Sequence, residues 1–162
     1  MLTREKLNDA DWLVIRDTPH LVIVGISSTG GSAMDELLEH SAGMKGIVDG
    51  MNSTHPLIRE IAVGVNIMQA QKSVHSWYHS LAEVDRKPAS LQEKALDSMK
   101  SAVGVLRAHG GHDDLLQYSD FVQSLAMRVA RAAKEGDVLG VGGERVSAGE
   151  RRFLEQLEAL VT

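Results

Sequence analysis

The chain has 162 residues and a mass of 17.6 kDa, with 43% hydrophobic and 24% charged residues, seven histidines and no cysteine. Lacking thiols, it can build no disulfide scaffold, thiolate zinc site or cysteine nucleophile. An excess of carboxylates, 22 against 17 lysines and arginines, gives a net charge of −5, so no overall positive field draws the protein to a nucleic-acid backbone.

Met1 to Trp12 alternates charged and apolar residues and has no apolar stretch of the kind that opens a signal peptide. The longest apolar run, Leu21 to Ile26, is far short of the roughly 20 residues of a membrane span. A soluble cytoplasmic protein is the expectation. Thr18-Pro19 reads as an element boundary, because proline is best tolerated where a helix begins.

His20 to Ser32 is ambiguous: an apolar run, then a Gly/Ser stretch. Gly25 to Ser32 has the spacing of a phosphate-binding P-loop, except that Gly31 stands where the phosphate-binding lysine belongs. The same stretch resembles the serine-bearing strand end of chemotaxis receptor methylesterases, which would imply that Ser27 or Ser28 is a nucleophile in need of a histidine and an aspartate. Both readings require a parallel sheet, and no other stretch offers comparable β-branched runs. Pro19 to Ile26 is therefore expected to be a buried helix, with burial overriding the modest helix penalty of Val and Ile.

From Pro56 to about Asp85, the apolar residues Leu57, Ile61, Val65 and Met68 recur at helical spacing, and Val74, Trp77, Tyr78 and Leu81 resume the pattern, which predicts one long helix. Leu91 to Arg107 carries a second stripe, with Ser90 and Glu93 in capping-box spacing. After the turn signal Gly110-Gly111, Asp113 or Asp114 is placed to cap a helix whose apolar face is Phe121, Leu125, Val129 and Ala132 and which ends near Gly136. The glycine-rich stretch 136–146 reads as a loop, and Ser147 with Glu150 opens a terminal helix. Gly30-Gly31-Ser32 and Gly142-Gly143 followed by Ser147 give both ends a loosely repeated helix–loop–helix character. The fold expected is a single all-α domain over residues 1–162, a bundle of six or seven helices with two long central ones. The helix, glycine-rich connection and capped helix of the last forty residues are similar in outline to TerB-type tellurite-resistance domains, but that family's acidic, metal-associated loop is missing and no site residue follows from the resemblance.

His75 and His79 lie one helical turn apart, and with Gln71 and Glu83 they form a polar ridge. Two imidazoles and the Glu83 carboxylate at that spacing could hold a divalent transition metal if His40, His20 or Glu36 supplied a further ligand. The plain alternative is a solvated helix face. Arg128, Arg131, Lys134, Arg151 and Arg152 read as part of a mixed, salt-linked surface with Glu135, Glu144, Glu150 and Glu155. Because Ile58, Ile61, Ala62, Val63 and Val65 to Met68 wrap most of the way round their helix, the leading reading of function is a non-catalytic protein. It would act by self-association or by docking a partner on an apolar face, with neither nucleic acid nor membrane as partner.

Overall fold

A computed structural model describes residues 1–28, 33–66, 79–135 and 146–161. It is all-helical, and the described residues form six α-helices and no strand. After a 3-10 turn at Arg4–Lys6 come α1 (Asp9–Ser27), α2 (Ala33–Gly50) and α3 (Pro56–Asn66). A second 3-10 turn, Glu83–Arg86, leads into α4 (Pro88–His109), α5 (His112–Glu135) and α6 (Ala148–Ala159). One cluster of buried side chains, running from Leu2 and Leu7 through every helix to Phe153 and Leu157, forms the core.

Helix α1 is the central element. Asn8 caps it by accepting a hydrogen bond from the Asp11 amide, and the helix packs most extensively against α4 while also touching α2, α3 and α5. From Thr18 onward almost every residue is buried, in keeping with the expected buried helix. The boundary expected at Thr18-Pro19 is not there: α1 runs straight through Pro19. An internal proline has no N–H to donate to the carbonyl four residues back, here Ile15. Tyr118 of α5 supplies the missing donor, its hydroxyl bonding the Ile15 carbonyl at 2.9 Å. Thr18 donates to the Val14 carbonyl at 2.7 Å, and its oxygen lies 2.6 Å from the Ser98 hydroxyl of α4. Burial drives the Tyr118 phenol far above the ordinary tyrosine range, so it remains a donor at any pH the fold meets.

Small residues set the helix spacing. A Cβ at Gly25 would lie 2.9 Å from Ala95 Cβ and 3.3 Å from the Leu91 carbonyl oxygen, so α1 and α4 approach almost backbone to backbone. On α2, Gly43, Gly46 and Gly50 face Ile23, Leu125 and Phe121 in the same way and seat side chains of α1 and α5. With only two each of Trp, Tyr and Phe, the bulky groups act as anchors: Tyr118 and Phe153 are fully buried.

Several local expectations change. The helix from Pro56 does not continue to Asp85: residues 79–80 are helical, but the backbone then opens, Ala82 is extended, and a 3-10 turn follows. Residues 67–78 lie outside the described part. Helix α4 starts at Pro88 with Lys87 as its cap, three residues before the expected Ser90 box, because proline at the first helical position loses no hydrogen bond. Helix α5 starts at His112, so Asp114 sits inside the first turn and reaches back to accept the Gly111 amide at 2.8 Å. The box at Ser147 and Glu150 forms as expected, with both reciprocal bonds made. Gly30-Gly31, Gly142-Gly143 and the expected stop at Gly136 lie outside the described residues.

Tyr118→Phe should lower stability by about 1–3 kcal/mol, the cost of an orphaned buried carbonyl. Combining it with Pro19→Ala, which restores an N–H to Ile15, should recover most of that loss in a urea-denaturation cycle; strict additivity of the two changes would refute the link. Glycine substitutions should differ in sign. Gly104→Ala, where nothing lies within 4 Å, should stabilise by up to about 1 kcal/mol through helix propensity. Gly25→Ala should destabilise, since overpacking of roughly 1–3 kcal/mol outweighs the same gain.

Candidate functional site

The described residues singled out from the sequence lie at separate places in the fold. His75 lies outside the described residues. His79 is exposed at the end of a helical segment, and its carbonyl accepts a bond from the Arg86 guanidinium. Glu83 opens the 3-10 turn beyond the extended Ala82, so the α-helical register that would align it with His79 is interrupted between them. Among the described residues, no three histidines or acids are grouped to hold a metal ion.

Ser27 and Ser28 end α1 rather than a strand. The Ser27 hydroxyl is buried and donates to the Ile23 carbonyl at 2.8 Å, and that of Ser28 donates to the Gly25 carbonyl at 2.8 Å. Both protons are used locally in closing the helix, and no sheet among the described residues mounts a nucleophile. Arg128 enters an ion pair with Asp49 of α2 at 2.7 Å. Glu150 is committed to its capping box.

What the fold assembles instead comes from residues far apart in sequence. His20 of α1 and His40 of α2 bring their rings to 5.5 Å between centroids, tilted by 48°. His20 is only 5% exposed, and its Nδ1 has no hydrogen-bond partner among the described residues. Burial, with a smaller contribution from His40, pushes its pKa down to about 4, and burial also lowers that of His40. Both rings are therefore neutral near pH 7. Their sequence positions suggest each only as a helper to the His75 ridge, because helix spacing carries no sign that they meet each other.

A second cluster surrounds Asp114. Its Oδ1 accepts the Leu2 amide and its Oδ2 the Gly111 amide, each at 2.8 Å, and His55 Nε2 lies 3.3 Å from Oδ1. Burial alone would raise this carboxyl, but the amides of Gly111 and Leu2, helped by nearby positive charge, hold it below the ordinary range. Asp114 thus clasps the N-terminal segment onto the start of α5. Its chemistry is that of a charged hydrogen-bond hub, with both oxygens already occupied.

The third feature is a groove of about 780 Å³ between the first 3-10 turn, α1 and α3. Trp12, Met51 and Val63 supply apolar surface, with Arg4, Arg16, Arg59, Glu5 and Glu60 around it. Arg4 stacks over Trp12 and pairs with Asp9, while Arg16 pairs with Asp17. Arg59 bonds the carbonyls of Ser53 and Thr54, and no carboxylate among the described residues pairs with it. Val63 is half exposed. A smaller cleft of about 580 Å³ between α2 and α5 includes Met127, Arg128 and Arg131.

No family model matches the chain, and no curated protein or solved structure matches it. Among the described residues, no helix is long and apolar enough to cross a membrane.

The depressed Asp114 carboxyl sets a pH dependence. Its stabilisation is fully present above the unfolded aspartate range and is lost as pH falls through that range toward the lower folded value. In urea titrations between about pH 6 and 2.5, Asp114→Asn should be less stable than wild type at neutral pH and should lose stability less steeply on acidification. Parallel curves would show that Asp114 carries no such linkage.

Proposed function

We propose that this chain works by binding rather than by catalysis, and that its binding surface is the groove flanking α3, occupied by a second copy of the same chain. The supporting observation is the outer face of α3. Pro56, Arg59, Glu60 and Val63 all line the groove, an apolar side chain is half exposed there, and the Arg59 guanidinium has no carboxylate partner among the described residues.

This face is self-complementary. A two-fold axis between Arg59 and Glu60 of two antiparallel α3 helices sets Arg59 of each copy against Glu60 of the other and Val63 against Pro56, as an isologous interface demands. Trp12 and Met51 extend the apolar floor beside that contact. Glu60 Oε2 already accepts the Arg4 amide at 2.7 Å, which fixes the carboxylate in place while its second oxygen stays available to the partner's arginine.

Light scattering on a size-exclusion column and sedimentation equilibrium should both give a dimer. Val63→Glu, at a half-exposed position, should yield a folded monomer with an unchanged circular dichroism spectrum. Arg59→Glu should weaken the dimer by roughly tenfold or more, about 1.4 kcal/mol. A wild-type protein that stays monomeric at high concentration, or a Val63→Glu variant as dimeric as wild type, would reject this surface.

A further inference from the structure

We propose that His20 and His40 form a binding site for one divalent transition-metal ion, of the class typified by Zn²⁺, bridging α1 and α2. The argument begins with geometry. With metal–nitrogen bonds of about 2.1 Å and each ring centre about 1.1 Å further on, two imidazoles on a tetrahedral ion have centroids roughly 5 Å apart. The observed 5.5 Å and 48° tilt fall close to that arrangement and well short of parallel stacking.

Burial adds a second, independent observation. The His20 side chain is almost wholly enclosed, yet its Nδ1 finds no hydrogen-bond partner among the described residues. An unsatisfied polar atom in such a place costs about 1–3 kcal/mol, and buried polar groups normally avoid that cost. An ion ligated through His20 Nδ1 would give that atom the polar partner it lacks.

Two imidazoles select borderline ions such as Zn²⁺, Ni²⁺ or Cu²⁺ over Mg²⁺ or Ca²⁺, which prefer oxygen. His40 is less enclosed than His20, leaving a route by which water can complete the coordination. His55 is a poorer candidate, because the Asp114 oxygens beside it already accept the Leu2 and Gly111 amides.

The test uses full-length, tag-free protein stripped with a chelator and titrated with ZnCl₂ by isothermal calorimetry, with thermal melting in parallel. One Zn²⁺ per chain and a raised Tm are expected. His40→Gln and His20→Gln should each weaken binding by at least about tenfold, the lower end of what even the loss of an outer-shell partner costs. His79→Gln should leave binding unchanged. The partly exposed His40 keeps the test decisive should the His20 variant fail to fold. Absence of Zn²⁺ uptake by the wild type, wild-type affinity in folded His40→Gln, or loss of binding in His79→Gln alone would each overturn the site.

Discussion

A proline in the middle of α1 leaves the Ile15 carbonyl without its helical donor, and the rest of the bundle is arranged around the answer to that deficit. In water such a carbonyl would be solvated; in the core it must find a protein donor or impose the full desolvation cost. The Tyr118 hydroxyl meets it from α5, so the phenol and the carbonyl satisfy each other. Because a hydrogen bond tolerates little displacement, this contact pins the register of α1 against α5. Thr18, one residue before the proline, does the same toward α4 through Ser98. With α1 held on two sides, its N-terminal half presents Trp12 and Arg16 to α3, and its C-terminal half turns His20 toward α2.

Close approach of the helices depends on the absence of side chains. Gly25 allows α1 to lie against Ala95 and the Leu91 carbonyl, and the glycines of α2 accept Ile23, Leu125 and Phe121. A core with few aromatics reaches interior packing density by bringing backbones together instead of filling wide gaps with rings. The Asp114 clasp acts at the edge of this packing, where it ties Leu2, a fully buried side chain, to the start of α5. Its two amide bonds are charge-assisted, so one carboxylate can order a segment that has little helix of its own.

Much of the secondary structure was legible in residues a few positions apart. The stripe from Leu91 to Leu106 marks the buried face of α4, and Ser147 with Glu150 marks the start of α6, because stripes and caps depend on 3.6-residue periodicity and local hydrogen bonds. Pro19 and Ser90 misled for the same local reason. Proline is usually a starting residue and Ser-x-x-Glu usually a cap, but Tyr118 makes an internal proline tolerable, and Pro88 offered α4 an earlier start. The polar ridge at His75 and His79 is visible in the sequence because its members are neighbours there, whereas the close pair, His20 and His40, is separated by a whole helix connection.

Local order thus came from the chain's own pattern: an all-helical fold, the burial of the Pro19 to Ile26 stretch despite its β-branched residues, and the exclusion of thiol chemistry by composition. The side-chain clusters among the described residues were settled in space. The groove beside α3 and the histidine pair between α1 and α2 join side chains from different elements, and the carboxylate clasp joins α5 to the backbone of Leu2. Periodicity names the face a residue occupies; which faces meet depends on how closely two backbones can approach and on which buried polar atoms must be satisfied, and both are properties of the packed whole.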